Sequence, residues 1–98
     1  MYIHFDWDDG NAAKCLKHGL TRDEIEFALS NEARVFPDPA HSQTEERFVA
    51  ISRTPTGHPV FVVFCRRGEK LRPISARYMH AREARRYDAA FGAEDDHG

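Results

Sequence analysis

The sequence predicts a single α+β domain in which an antiparallel sheet carries helices on one of its faces. Three observations lead to this fold class. Apolar residues alternate at period two near the N-terminus, they recur at helical spacing over residues 11–30, and they return to strand-like patterns over residues 46–78. The short connections in the last stretch favour an antiparallel meander. The predicted order of elements is β-α-α-β-β-β-α.

The first predicted element is a strand over residues 2–7, because apolar and polar side chains alternate there. A short helix over residues 11–17 should follow it. Asp8 or Asp9 is its expected N-cap, and Gly19 is a natural end for it. The chain therefore starts with a β-α unit.

A capping box predicts where the second helix begins. Thr21 is followed three residues later by Glu24, which is the spacing that lets each side chain bind the other's backbone N–H. The helix should run to about Ser30, and its apolar residues Ile25 and Leu29 recur at helical spacing. We expect that apolar stripe to pack on the sheet.

From residue 33 onwards the hydrophobic period changes to that of strands. Residues 35–36 form a short extended piece before a proline-rich loop, and residues 47–53 form the first strand of the meander. Residues 60–65 are a continuous apolar run, which is typical of a central strand covered on both faces. The meander should therefore be built around that run.

The last two elements are a strand over residues 71–78 and a helix over residues 80–91. Pro73 lies within the strand, which indicates that the strand is an edge there or is bulged. The helix is rich in alanine and charged residues, with Ala84, Tyr87 and Phe91 on one face, and Gly92 follows it. The chain should thus return to a helix after its last strand.

The length and the composition bound the class of protein. The chain has 98 residues, of which 41% are apolar, so one domain over residues 1–91 is expected. The acidic residues 92–98 should be a disordered tail. No apolar run approaches the ~20 residues of a membrane-spanning helix, and no basic segment followed by an apolar one indicates a signal peptide. A cytoplasmic protein is expected.

Positive charge is concentrated in the second half of the chain. Residues 1–45 carry nine acidic and four basic residues, whereas residues 46–90 carry four acidic and ten basic ones. Eleven of the fourteen basic residues are arginines, whose planar forks match the geometry of phosphate. This polarity favours a polyanion site, and a solvated charged surface with ordinary ion pairs explains it equally well.

Alternation along the strands indicates where the arginines point. On the last strand Pro73, Ser75 and Arg77 should share one face, opposite Ile74 and Ala76. Packing those two apolar residues on the helices turns Arg77 to the open side of the sheet. Arg47 and Arg53 share one face of the first meander strand and can flank the same surface. Such a cluster suits a single-stranded phosphate backbone. The alternative is that the arginines cap helices or pair with Glu46, Glu69 and the acids of the tail.

The histidines and cysteines do not form a metal-binding pattern. Six histidines are scattered along the chain, and Cys15 and Cys65 show no zinc-type spacing, so no metal or other cofactor is expected. Two histidines are better placed for proton transfer than the rest. His18 follows Lys17 at the end of the first helix, and His80 directly follows the last strand. Each of them is, on its own, more often a surface or capping residue.

Three stretches of the sequence resemble the BrnT family of toxins, and together they span most of residues 5–88. They are Phe5-Asp6-Trp7-Asp8 with Asn11 and Lys17-His18-Gly19, then Asp38-Pro39-Ala40-His41-Ser42 with Glu45-Glu46-Arg47-Phe48-Val49-Ala50-Ile51, and finally Arg72-Pro73-Ile74-Ser75-Ala76-Arg77 leading into a basic helix with Glu83 and Tyr87. The three stretches occur in the order and at the spacing of that family.

The resemblance implies a RelE-like fold and a ribonuclease toxin of a type II toxin–antitoxin system that inhibits translation and growth. The implied partners are RNA and a BrnA-like antitoxin, which neutralises the toxin and binds operator DNA as part of the complex. A second reading is a catalytically silent binding module that acts with the antitoxin as a corepressor. A third, a sheet-surface RNA-binding domain, lacks an evident aromatic stacking platform.

Metal-independent RNA cleavage uses the 2′-hydroxyl of the substrate as its nucleophile, so the protein supplies a base, an acid and cations. The predicted catalytic residues are two arginines that clamp the phosphate, Arg77 and Arg53, and three alternative proton carriers, His18, Glu46 and His80. The predicted RNA-binding residues are basic side chains that contact the phosphate backbone, and they are Arg47, Lys17 and Arg82.

Overall fold

A five-stranded sheet and three helices form the fold in the computed structural model, which describes residues 3–38 and 45–87. The loop that contains His41 and the predicted acidic tail over residues 92–98 lie outside these ranges, and so does the predicted end of the domain at residue 91. None of the helices in the described part of the chain is long and apolar enough to cross a membrane.

The elements in chain order are β1 (His4–Phe5), α1 (Asp9–Leu16), α2 (Arg22–Ser30), β2 (Arg34–Pro37), β3 (Arg47–Arg53), β4 (Pro59–Arg67), β5 (Lys70–Tyr78) and α3, of which residues 81–87 are described. The strands lie side by side in the order β1-β5-β4-β3-β2. β1 is parallel to β5, and the other neighbouring strands are antiparallel.

The prediction of an α+β fold is confirmed, but the purely antiparallel sheet was wrong because the sheet is mixed. β1 joins the meander from outside. The chain passes through α1 and α2 before it reaches β2 at the opposite edge, so no hairpin fixes the direction of β1. The predicted order also lacked β2, because its four residues carry too short an apolar pattern to indicate a strand.

The first strand is shorter than predicted because Asp8 ends it by capping α1. The Asp8 carboxylate accepts from the backbone N–H of Asn11 at 3.1 Å, and the Asn11 side chain accepts from the N–H of Asp8 at 2.7 Å. Among the described residues, His4 and Phe5 pair with β5, and Asp6 adds one hydrogen bond from its N–H to the carbonyl of Leu71. The predicted N-cap at Asp8 is confirmed, and α1 begins at Asp9, two residues earlier than expected.

The capping box predicted for the second helix is present. Thr21 donates its backbone N–H to Glu24 at 2.9 Å, and the Thr21 hydroxyl accepts from the N–H of Glu24 at 3.1 Å. Ile25, Ala28 and Leu29 of α2 are buried. The local sequence therefore predicted both the beginning and the inward face of this helix.

The core lies between the sheet and the first two helices. It contains buried side chains from α1, α2 and the three central strands, namely Cys15, Leu20, Ile25, Ala28, Leu29, Ala50, Val60, Val62, Phe64 and Ala76. Residues paired across neighbouring strands share a face. The other side of the sheet, which we call the open face, carries Arg47, Val49, Ile51, Arg53, Phe61, Val63, Arg67, Ser75 and Arg77.

The third helix departs from the predicted arrangement of all helices on one face. Glu83 of α3 contacts Arg77, which lies on the open face and not on the side of α1 and α2. Met79 and Ala84 are buried where the chain leaves β5 and enters α3. α3 therefore approaches the sheet from the side of the open face at the end of β5.

A bulge in β5 changes which side chains point to the open face. The pairing with β4 shifts between Val63 and Phe64, which lie opposite Ser75 and Pro73, so Ile74 is the extra residue. The prediction that the strand is bulged near its proline is confirmed. The prediction that Pro73 shares a face with Arg77 was wrong, because the extra residue reverses the alternation.

Candidate nucleic-acid interface

The basic residues around the open face form two groups, which lie towards opposite ends of β3. Arg47 and Arg53 begin and end this strand, so roughly 20 Å of extended chain separates them. The group that we call the Arg77 end consists of Arg34, Arg53, Arg77 and Tyr87. The group that we call the Arg47 end consists of Lys14, Arg47, Arg67 and Arg72.

Arg77 is held on the open face by an aromatic ring and a carboxylate. Its guanidinium lies over the ring of Phe61, 4.6 Å from the ring centroid. It also donates two hydrogen bonds of 2.9 Å to the two carboxylate oxygens of Glu83. A guanidinium has five N–H groups, so Arg77 retains donors after it has bound Glu83. The Arg77 side chain is 41% exposed, so these donors are accessible to a phosphate.

The Arg77–Glu83 pair shifts the pKa of both groups. Hydrogen bonds from Arg77 are the main cause that lowers the pKa of Glu83, and a hydrogen bond from the backbone of His80 lowers it further. Hydrogen bonds to Glu83 are likewise the main cause that raises the pKa of Arg77, to which Tyr87 also contributes. Glu83 is therefore an ionised partner of Arg77 at neutral pH and not a free base.

A cleft of about 690 Å³ lies between the ends of β2 and β3 and the third helix. Arg77 does not line this cleft, but it interacts electrostatically with Tyr87, which does. Arg34, Arg53, Ala84 and Tyr87 are among its lining residues. Arg53 is exposed and donates to the carbonyl of Gly57 at 3.0 Å, within its own β3–β4 connection. The cleft therefore has cationic side chains and a phenol along its walls.

Sequence reasoning missed the part that Arg34 and Tyr87 take in this cleft. Arg34 pairs across the sheet with Ile51, so it lies on the same face as Arg53. The signal was available in the short extended piece that follows Arg34, which the predicted order did not count as a strand. Tyr87 was predicted to lie on the same side of the last helix as Ala84, and both of them line the cleft.

The predicted proton carriers do not all come together. His80 is exposed and lies three residues after Arg77, so it belongs to the same end of the sheet, as does the exposed Arg82 of α3. Glu46 is exposed but directly precedes β3, next to Arg47 and far from Arg53. The predicted combination of Glu46 with the two phosphate clamps is therefore not brought together.

Lys17 and His18 lie on a different side of the molecule. Both are exposed and follow α1, and the next residue, Gly19, lies beside the ring of Tyr78. Tyr78 pairs with the buried Val60, so its side chain is on the opposite face of β5 from Arg77. The structure therefore separates His18 from the arginines of the open face.

At the Arg47 end, carboxylates from the first half of the chain hold two arginines. Arg67 donates to both oxygens of Glu45 at 3.0 Å. Arg72 contacts Asp6 at 3.3 Å and Asp8 at 2.9 Å, and its side chain is only 16% exposed. Arginines therefore form ion pairs as the alternative predicted, and among the residues that the structure describes they pair with these carboxylates and not with Glu46 or Glu69.

The two cysteines behave as buried apolar residues. Both are free thiols, and burial raises the pKa of Cys15 to about 11. Burial also raises the pKa of Cys65, to which the carboxylate of Glu45 adds. Neither thiol is therefore ionised at neutral pH, which is the state that a nucleophilic cysteine needs.

A family of known proteins matches most of the chain described above. A family described as "Ribonuclease toxin, BrnT, of type II toxin-antitoxin system" matches residues 7–83. Comparisons with curated proteins and with solved structures gave no match. The matched range contains every strand from β2 to β5 and reaches Glu83, the partner of Arg77.

Proposed function

Because the chain belongs to the BrnT family of ribonuclease toxins of type II toxin–antitoxin systems, we propose that it cleaves RNA at the Arg77 end, without a metal, and thereby inhibits translation and growth. Membership of such a family also implies a protein antitoxin as its partner. The observation that carries the proposal is the cleft lined by Arg34, Arg53 and Tyr87, together with the interaction of its Tyr87 with Arg77.

The proposed reaction is an attack by the 2′-hydroxyl of the RNA on the adjacent phosphorus. The O2′–P bond forms and the P–O5′ bond breaks, which leaves a 2′,3′-cyclic phosphate and a 5′-hydroxyl. A base accepts the proton from O2′, and an acid donates a proton to O5′. Arg77 and Arg53 would hold the phosphate oxygens, whose negative charge increases in the transition state.

Among the predicted proton carriers, His80 fits this site best because it follows Arg77 at the same end of the sheet. Tyr87 offers an O–H group in the cleft, and we assign it to the leaving oxygen. Arg82 would attract the RNA backbone electrostatically. His18 and Lys17 lie beside the other face of β5, so we leave them out of this proposed site.

The proposal is tested with purified protein, RNA and an excess of chelator. We expect cleavage products that carry 2′,3′-cyclic phosphate ends. Arg77→Ala should lower the rate by roughly a hundredfold or more, which corresponds to about 2–4 kcal/mol of transition-state stabilisation. Arg77→Lys should restore little, because a point charge does not replace a planar fork of donors. A folded Arg77→Ala protein that cleaves RNA like the parent would overturn the proposed site.

A catalytically silent corepressor is the second candidate, and one observation favours it. Three arginines of the two ends, Arg67, Arg72 and Arg77, already bind carboxylates of their own chain. In that case the chain would cleave no RNA and would only raise the affinity of its antitoxin for operator DNA. The cleavage assay above, paired with an operator-binding assay with and without this chain, separates the two candidates.

We also propose that a BrnA-like antitoxin neutralises the chain in the cytoplasm by covering its arginine-bearing surface with acidic and apolar residues. Complementary charges would speed the association and fix its orientation. Complex formation should then protect Arg47, Arg53 and Arg77 from an arginine-specific dicarbonyl reagent. Equal modification of all three in the free and bound states, read by peptide mass spectrometry, would place neutralisation elsewhere.

A further inference from the structure

The Arg47 end has a geometry that the cleavage reaction itself does not require. We propose that it is a second phosphate-binding site, which holds RNA several nucleotides away from the bond that is cut. The substrate would then be single-stranded RNA laid along the open face from one end to the other. This inference rests on the proposed function and extends it by naming the form of the substrate.

Convergence of basic side chains from separate elements is the first support. Lys14 comes from α1, Arg47 from β3, Arg67 from β4 and Arg72 from β5, and all four line one cleft of about 290 Å³. One helix and three strands thus present basic side chains to a single concave surface, which Glu45 also lines. Arginine forks in such a surface suit the oxygens of a phosphate.

The ion pairs at this end leave room for a phosphate. Arg67 donates two of its five N–H groups to Glu45, and its side chain is 51% exposed, so it keeps accessible donors. Arg72 is fixed in place by Asp6 and Asp8, which neutralise its charge, so it shapes the cleft and leaves Arg67, Arg47 and Lys14 to attract the phosphate. A phosphate can therefore bind here without any ion pair being broken.

The surface between the two ends suits bases better than phosphates. Val49 and Val63 face each other across β3 and β4, and Ser75 lies next to Val63 on β5. All three are half-buried and uncharged. Bases can contact this uncharged surface only when they are unpaired and splayed out, which is how proteins bind single-stranded RNA.

The separation of the two ends sets the length of RNA that reaches both. Arg47 and Arg53 lie roughly 20 Å apart along β3. At about 3.4 Å per stacked nucleotide this distance spans about six nucleotides, and fewer when the strand is extended. A dinucleotide therefore occupies only the Arg77 end, whereas an RNA of ten nucleotides occupies both.

The test uses a ten-nucleotide RNA with 2′-O-methyl groups, which binds but cannot be cut because its nucleophile is blocked. Affinity is measured by fluorescence anisotropy at several salt concentrations with the full chain. Arg67→Gln should lower the affinity severalfold and reduce the slope of log K against log salt by about 0.7, which is the loss of one single-strand phosphate contact. Lys14→Gln, at an exposed helix position, should act in the same direction.

Arg66→Gln is the matched control, because it removes the same charge one residue away on the other face of β4. Arg66 is exposed and pairs with Leu71, which packs against the core. Arg66→Gln should therefore leave both the RNA affinity and its salt slope unchanged. Equal effects of Arg66→Gln and Arg67→Gln would overturn the second site. The second site would also be overturned if Arg67→Gln and Lys14→Gln lost antitoxin binding but still bound RNA like the parent.

Cleavage of an unmodified dinucleotide separates this inference from the proposed function. Arg67→Gln should cleave the dinucleotide as fast as the parent, since the dinucleotide does not reach the Arg47 end. If the parent cuts neither the dinucleotide nor a longer RNA, the proposed function fails. If it cuts both but Arg67→Gln binds the ten-nucleotide RNA normally, only the second site fails.

Discussion

The two ends of the open face use the same residue type but differ in what holds it. Arg77 is bound by Glu83 and by a ring, both from the second half of the chain. Arg72 is bound by Asp6 and Asp8 at the beginning of the chain. Acidic residues of the first half of the chain therefore neutralise arginines at the Arg47 end, whereas at the Arg77 end the carboxylate comes from the basic half itself.

The same corner of the fold that holds Arg72 also depends on a buried amide, which gives the largest stability effect that we predict. Asn11 is 5% exposed and donates to the carbonyls of Pro73 at 2.7 Å and Asp6 at 2.9 Å. Asn11→Ala removes these bonds and part of the cap of α1, so it should cost about 2–4 kcal/mol of unfolding free energy in urea.

Asn31→Ala is the matched control for that experiment. Asn31 also donates its side-chain amide to a carbonyl, that of Phe27 at 2.8 Å, but it is exposed. Its loss should cost less than about 0.5 kcal/mol, because water replaces the bond. Equal costs for Asn11→Ala and Asn31→Ala would show that the bond across the bulge of β5 does not stabilise the Arg47 end.

A smaller stability effect should separate Arg72 from Arg53. Arg72 is mostly covered and ties β5 to the beginning of α1, whereas Arg53 is exposed and donates to a carbonyl within its own β3–β4 connection. Arg72→Ala should therefore lower the unfolding free energy by about 1 kcal/mol, and Arg53→Ala by less. Thermal unfolding of the two variants makes the comparison, and a larger loss for Arg53→Ala would contradict it.

The smallest expected effect is a pH dependence of stability at the Arg77 end. The pKa of Glu83 is lowered from the ordinary value of 4.5 by its hydrogen bonds with Arg77. Its contribution to stability is therefore fully present above pH 4.5 and is lost as the pH falls through the lowered pKa. The gap in unfolding temperature between the parent and Glu83→Gln should be wider at about pH 6 than at about pH 3. A gap of equal size at both would contradict the assignment.

Local signals in the sequence predicted much of the fold. The capping box of Thr21 and Glu24 predicted where α2 begins, and the apolar run of β4 predicted the central strand of the sheet. The direction of β1 and the position of the extra residue at Ile74 were not predictable in this way, although Pro73 indicated that β5 is bulged or an edge there. They depend on contacts between distant parts of the chain, such as that of Asn11 with Pro73.

The candidate site was predicted only in part, for a similar reason. Alternation correctly placed Arg77 on the open face, because no bulge lies between Ile74 and the end of β5. It gave no information on the ion pairs, since Arg72 and its partner Asp6 are 66 residues apart in the sequence. A cluster formed by several strands, such as that of Arg34 with Arg53, can be predicted only when the registers of β2 and β3 are known.

The most direct test of the account is the cleavage rate of a short RNA by two variants that break the same ion pair from opposite sides. Arg77→Ala removes the proposed phosphate contact, whereas Glu83→Gln releases Arg77 but keeps its charge. With folding checked by circular dichroism, we predict a loss of roughly a hundredfold or more for Arg77→Ala and of less than about tenfold for Glu83→Gln. Equal losses in the two variants would show that Arg77 only anchors α3 and would contradict its role in catalysis.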